Sequence, residues 1–340
     1  MKLLFRILCA LLCLGGIFLI AAEQDPSWAY LGQTLPGQAP RVFAPGIVNA
    51  GLHTRDFAMA PDGREIYFCV ILGKYKLSNI VFCRYENGRW SAPQVVPGLD
   101  EPGVHYIEPH ISADGNKFFF ASNRPVAGKV FSERDEDIWV MERQGAGWGE
   151  PRNLGAPINT PGGEFFPTTT QDGTLYYTGP DAGGKGEAIY RSRWVDGTYT
   201  APERMPAQIN SGKARYNAFF SADGRLAIVP VWGRPDSLGG TDYYAVFRND
   251  DDSWSEPVNL GAVVNSVDGD EYSASLSPDG KFLFFMSSRM PAPETMPARL
   301  TYDYIAGLHN RAPNGNPAIY WVDASFIEKL RPKNIVTRNE

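Results

Sequence analysis

Ala113-Asp114-Gly115-Asn116-Lys117-Phe118-Phe119-Phe120-Ala121 joins a tight turn to a run of apolar and aromatic residues, and it is one of five such phrases in the chain. The x-Asp-Gly turn returns in Ala60-Pro61-Asp62-Gly63, Gln171-Asp172-Gly173, Ala222-Asp223-Gly224 and Ser277-Pro278-Asp279-Gly280. The turn aspartates therefore stand 52, 58, 51 and 56 residues apart. Asp-Gly suits a hairpin because glycine accepts positive φ and the aspartate carboxylate bonds the turn's own amides. These aspartates are accordingly read as structural. Strands repeating at this period predict an all-β fold, a single β-propeller.

The second repeat gives the plan of one blade. Ile107 to Ser112 reads as a strand, Lys117 to Ala121 as its return, Asp137-Ile138-Trp139-Val140-Met141 as a third strand, and Trp148-Gly149-Glu150-Pro151 opens a fourth. Third strands elsewhere read Asn79-Ile80-Val81-Phe82, Ala188-Ile189-Tyr190, Asp242-Tyr243-Tyr244 and Ala318-Ile319-Tyr320-Trp321. Fourth strands open with an aromatic residue three before a proline: Trp90 and Pro93, Tyr199 and Pro202, Trp254 and Pro257. Proline fits an outermost strand, and the aromatics are expected to pack between blades. Ala39-Pro40-Arg41-Val42-Phe43 reads like a fourth strand without its first three. The expected architecture is therefore five four-stranded blades, with the N-terminal strand completing the last blade and closing the ring. The alternative is that Ser325 to Pro332 completes that blade and the N-terminal strand begins a sixth.

In such a blade the x-Asp-Gly turns share one face, and the long loops share the other with the entrances of the first strands. The long loops run roughly from Arg124 to Glu136, Gly179 to Gly186, Gly233 to Thr241 and Ser288 to Pro317. Because binding chemistry concentrates on long loops of a rigid scaffold, that face is the expected functional one. Aligned on the turn aspartate, the entrances read His53-Thr54-Arg55-Asp56, His105-Tyr106-Ile107-Glu108, Gly163-Glu164-Phe165-Phe166, Ala214-Arg215-Tyr216-Asn217 and Asp270-Glu271-Tyr272-Ser273. Imidazoles beside carboxylates can hold a divalent metal or supply an acid and a base, which makes His53, His105, Glu108, Glu164 and Glu271 the catalytic or metal-ligating candidates. Arg55, Asp56, Tyr106, His110, Arg215, Tyr216, Asn217, Asp270 and Tyr272 are the ligand-contact candidates, and a polar structural network is the competing reading of the whole ring. No helical zinc motif, nucleophile elbow or phosphate loop is present in the sequence. Asp250-Asp251-Asp252 reads as a solvated surface run, and Asp268-Gly269-Asp270-Glu271 resembles part of a calcium loop without a full ligand set.

Lys2 and Arg6 precede an uncharged apolar stretch from Ile7 to Ala22, short for a membrane span, which reads as a secretory signal peptide cleaved after Ala22. The expected organisation is a leader at 1–22, an N-terminal linker at 23–38, the propeller at 39–332 and a tail at 333–340. Cys9 and Cys13 follow Leu8 and Leu12, which argues against lipidation. Cys69 and Cys83 are left to form a disulfide or to stay two buried thiols. A net charge of −6 argues against nucleic acid as a partner and against a broad basic surface for anionic lipid. A monomer without stable membrane insertion, located in the periplasm or secreted, is expected.

Ser277-Pro278-Asp279-Gly280-Lys281-Phe282-Leu283-Phe284-Phe285 and Ala113 through Pro125 resemble the WD40-like, or PD40, repeats of TolB-type propellers. The resemblance runs over about residues 40 to 325 and implies fold more than function, since such repeats occur in periplasmic scaffolds, peptidase propellers and oligosaccharide lyases. The chain departs from TolB in leaving no room for a separate N-terminal α/β domain. A lyase of the oligogalacturonate type would imply a histidine-rich metal site in the channel. The leading expectation is a non-catalytic module binding a protein or glycan through its long-loop face, with no required cofactor. The alternative is a carbohydrate-active enzyme, a metal-assisted lyase or a glycosidase, using the channel-mouth His and Glu residues, with Arg55 and Arg215 steering an acidic sugar.

Overall fold

The computed structural model describes residues 26–129, 135–184, 186–290 and 296–333. The expected leader lies outside the described residues, as do residues 334–340 of the expected tail.

Five antiparallel sheets form the ring, each built around a tight turn of the repeated phrase. Blade 1 comprises His53–Met59, Glu65–Leu72, Leu77–Glu86 and the outer Gln94–Val95, and blade 2 comprises Tyr106–Ile111, Lys117–Ser122, Asp137–Gln144 and Arg152–Asn153. Blade 3 comprises Phe165–Thr169, Leu175–Pro180, Glu187–Ser192 and Glu203–Arg204. In blade 4 the inner strand is split into Ala214–Arg215 and Phe219–Phe220, followed by Leu226–Trp232, Thr241–Phe247 and Val258–Asn259. Blade 5 comprises Glu271–Leu276, Phe282–Ser287 and Ala318–Asp323, and its fourth strand is the N-terminal Arg41–Val42. Arg41 pairs with Trp321 and Val42 with Tyr320, which closes the ring as the five-bladed reading requires. The six-bladed alternative fails on the other side too, because Ser325–Lys329 is a helix with Ile327 buried, not a strand.

The core is a ring of five inter-blade layers. Tyr67 and Cys69 of blade 1 meet Phe118 and Phe120 of blade 2, while Phe119 points the other way to join Leu175 and Tyr177 of blade 3. Corresponding layers join blades 3 and 4, blades 4 and 5, and blades 5 and 1. Both faces of every sheet are covered, so the strands read as continuous apolar runs without the alternation of a half-exposed sheet. Stacked rings mark the seams: Tyr176 on Phe220 at 3.7 Å and Phe57 on Phe284 at 3.8 Å. Trp148 behaves as expected of a fourth-strand aromatic, its indole N–H donating to Tyr67 of blade 1 at 2.8 Å. Cys69 and Cys83 face opposite layers and are both free thiols, so the disulfide alternative is set aside.

A second repeated phrase was not read from the sequence. Val48-Asn49, Ile158-Asn159, Ile209-Asn210 and Val264-Asn265 each place an asparagine beside a third strand. Asn210 accepts the Ile189 N–H at 2.7 Å and donates to the Ile189 and Met205 carbonyls at 3.1 and 2.7 Å. Asn49, Asn159 and Asn265 clamp Ile319, Ile138 and Tyr243 in the same way. Each asparagine satisfies strand groups that the short outer strand leaves unpaired.

Candidate functional site

Every inner strand carries one residue more than the strand it pairs with, and the extra residue sits in a bulge. Register shifts fall after Arg55, Ile107, Phe165 and Tyr272, and in blade 4 between Arg215 and Phe219. At each bulge one residue takes a left-handed backbone: Asp56 (φ 58°), Glu108 (60°), Phe166 (53°), Asn217 (49°) and Ser273 (65°). All five stand six residues ahead of the turn aspartate. Such conformations are costly for non-glycine residues and persist where the surroundings over-determine them. A bulge also re-aims side chains, and here it gathers those of four blades.

The Arg55 guanidinium is the centre of that gathering. It donates to Asp56 at 2.7 Å, to Glu108 at 2.7 Å, to Ser273 at 3.0 Å and to the Tyr75 hydroxyl at 2.8 Å, with the Tyr272 ring 4.7 Å from it. Asn217 donates to Glu108 at 3.2 Å and Ser273 at 3.0 Å, and the Phe166 N–H donates to the second Glu108 oxygen at 2.6 Å. Blades 1, 2, 4 and 5 thus meet through side chains and blade 3 through its backbone. Burial pushes the Glu108 carboxyl up to about 8, an effect that Arg55 offsets in part and Asp56 reinforces.

The remaining candidates separate from this knot. Glu164 is fully buried and accepts from the Thr160 N–H at 2.9 Å and from the Thr160 hydroxyl. Its carboxyl is raised to about 7 by burial, which those bonds oppose. Glu271, also fully buried and raised by burial, accepts from Ser266 at 2.6 Å and Ser287 at 2.7 Å. Tyr106 lies in the core between blades 1 and 2. Arg215 pairs with Asp181 at 3.1 Å, an acid that also holds Arg204. The half-buried channel mouth is left with His53 edge-on to Tyr75, His105 bound through its amide to Asn123, and Tyr216 near Tyr272, with Asp270 exposed beside them. Burial and the nearby Arg55 charge lower His53 to about 4. Among the described residues no three of His, Cys, Asp and Glu stand together as a metal-holding set. Asp252 of the acidic run is not simply solvated, since it pairs with Arg191 of the preceding blade at 3.0 Å.

A cavity stands at the other end of the channel. About 830 Å³ in volume, it is rimmed by all five tight turns and floored by Asp56, Glu108 and Ser273. Phe57, Met59, Pro109, Pro167 and Phe219 form much of its wall, and Trp28, Tyr30 and Arg331 flank its mouth. His110 faces this cup and not the long loops: its Nε2 accepts the Thr169 N–H at 2.8 Å, and burial lowers its pKa to about 3, so it stays neutral. Sequence reasoning missed Tyr75, Ser273 and the cup itself. The fixed offset of six residues from each turn aspartate was the available signal for the bulge ring.

No family model matches the chain, and no curated protein matches it by sequence. Solved structures match at low identity. TolB from Acinetobacter baumannii is 17% identical, with 80% of this chain and 57% of that one covered and a TM-score of 0.45. The arabinanase Arb43A of Bacillus subtilis is 12% identical over 81% and 95% of the two chains, TM-score 0.48. A glycoside hydrolase is 12% identical over 93% and 97%, TM-score 0.49. The chain spans 57% of the length of TolB and 62% of the matched hydrazine synthase of Kuenenia stuttgartiensis. The fold itself, read from the strand order and the closing pair of Arg41–Val42 with Ala318–Asp323, is a five-bladed β-propeller.

Proposed function

We propose that this chain is an exported, non-catalytic binding module whose turn-face cup receives a segment of another protein. The observation that carries the reading is the cup itself: a cavity of about 830 Å³, concave, largely apolar in its wall and rimmed by rigid turns. An apolar wall suits an inserted side chain better than a sugar, whose hydroxyls need many fixed polar partners. The carbohydrate-active reading has one observation in its favour, since Glu108 and Glu164 are raised to about 8 and 7, as general acids are. Both are buried, however, and both spend their oxygens on internal hydrogen bonds. Export rests on the leader at 1–22. No helix among the described residues is long and apolar enough to cross a membrane.

The test narrows the cup at its rim with Ala113→Trp/Ala222→Trp, positions that line it without lying in the core. Parent and variant are chemically cross-linked in an extract of the exported fraction and screened on a glycan array. A protein captured by the parent and lost by the folded variant supports the reading. Glycan binding lost in the variant, or turnover of an oligosaccharide by the parent, overturns it.

A further inference from the structure

The opposite end of the propeller carries a feature that the cup does not explain. Among the described residues, ten of the sixteen exposed large apolar side chains fall in three segments, residues 47–52, 72–77 and 296–316, the last counted together with Met290. The segments are neighbours in space. The Asn314 and Asn316 amides donate to the Gly51 carbonyl at 3.1 and 3.0 Å, the Thr54 N–H donates to the Pro317 carbonyl at 2.9 Å, and Tyr75 meets His53 and Arg55. Within the third lies Tyr302–His309, an eight-residue helix with no buried residue, in which Tyr302 is 84% and Ile305 52% exposed. A helix this short holds itself poorly in water, and packing ordinarily supplies the difference.

Charge at this patch runs against the molecule as a whole. The chain carries a net charge of −6, yet Lys74, Lys76, Arg299 and Arg311 stand exposed here and Asp303 is the one acid among the described residues of residues 47–52, 72–77 and 296–316. None of the four cations takes part in a described ion pair. Leu72-Gly73-Lys74-Tyr75-Lys76-Leu77 is a hairpin tip, exposed throughout, in which lysines alternate with apolar and aromatic residues. Apolar side chains interleaved with lysine and arginine at one end of a rigid body match an anionic lipid surface: the apolar groups enter the headgroup boundary, tyrosine sits at its level and the cations stay with the phosphates. We propose that this patch docks the propeller, peripherally and reversibly, on an anionic bilayer surface. Docked this way, the propeller presents its turn-face cup away from the lipid. The cup and the patch are at opposite ends, so either reading can fail without the other.

The experiment is flotation with lipid vesicles, using the chain from Glu23 onward. The whole closed ring lies within 26–333, and the apolar stretch at 7–22 cannot then bind lipid by itself. Vesicles of equal phosphatidylglycerol and phosphatidylcholine should bind the chain at least tenfold more tightly than phosphatidylcholine alone, and 0.5 M salt should abolish the difference. Lys74→Glu/Lys76→Glu should weaken binding by at least about thirtyfold, from the loss of one favourable charge contact per lysine and the repulsion of the two new carboxylates. Tyr302→Ser/Ile305→Ser should weaken binding to anionic vesicles while leaving its salt dependence unchanged. Should the lysine variant fail to fold by circular dichroism, Arg299→Glu/Arg311→Glu replaces it, with the same loss expected. Equal binding to both vesicle types, no flotation at all, or variants that float like the parent would overturn the proposal.

Discussion

Arg55 shows how one side chain can decide whether a ring holds. Its guanidinium answers two buried carboxylates at 2.7 Å each, so Arg55→Met leaves Asp56 and Glu108 buried without a counter-charge. Breaking such a pair costs about 3–5 kcal/mol. The loss should be larger at pH 8 than at pH 5.5, because Glu108 can take up a proton in acid, and Arg55→Met/Glu108→Gln should recover part of it; urea unfolding at the two pH values checks both. His110 works in the opposite direction. Its pKa in the folded chain, about 3, lies below the unfolded value of about 6.5. The unfolded state therefore binds the proton first, and the stability His110 contributes is complete above pH 6.5 and is lost as the pH falls toward 3. Gln at this position keeps an acceptor for the Thr169 amide without titrating. His110→Gln should flatten the decline of unfolding free energy between pH 6.5 and 4.5 by on the order of 2 kcal/mol, and an unchanged slope would remove His110 from the acid limb.

At the scale of strands and turns, the sequence was legible wherever a local rule writes itself into residue type. Asp-Gly turns, apolar third strands and the proline-marked outer edge all came through, and the entrances aligned on the turn aspartates end on the bulge residues Asp56, Glu108, Phe166, Asn217 and Ser273. What the alignment could not convey is the bulge. Asp, Glu, Phe, Asn and Ser share no side-chain chemistry, and only the backbone they adopt is common to them. Because the bulge re-aims the side chains that follow, residues read as facing the channel mouth divide between the Arg55 knot, the core and the cup. His110 went to the opposite end for this reason, whereas Tyr106, ahead of the bulge, stays in regular register and lies in the core between blades 1 and 2. The asparagine clamps were legible in principle, as a branched aliphatic residue followed by Asn four times over. They went unread because they lie in loops, where the strand pattern gives no register to align them.

At the scale of the whole molecule, stability depends on one seam that chain connectivity does not provide. Blade 5 takes its outer strand from Arg41–Val42, so the ring is joined by two residues of pairing, by the Phe43 amide on the Ile319 carbonyl and by the Asn49 clamp. Phe43 is fully buried and touches Phe57, Phe284 and Trp321 edge-on at 5.2 to 5.3 Å, which makes it the packing bolt between blades 5 and 1. A linear stack of repeats would lose one end if its last unit loosened, whereas a closed ring has no end to lose. Phe43→Ala should therefore cost about 3–5 kcal/mol by the cavity it leaves, and the damage should have a location. Amide hydrogen exchange should rise first in Ala318–Asp323 and His53–Met59, the strands on either side of the seam, with Phe165–Thr169 across the ring still protected. Uniform loss of protection would mean that the five inter-blade layers open together and that the N-terminal strand is one contact among many. Exchange confined to the seam would mean that the exposed Ala318–Asp323 edge is also where the opened ring pairs with other chains, an association that should grow with protein concentration.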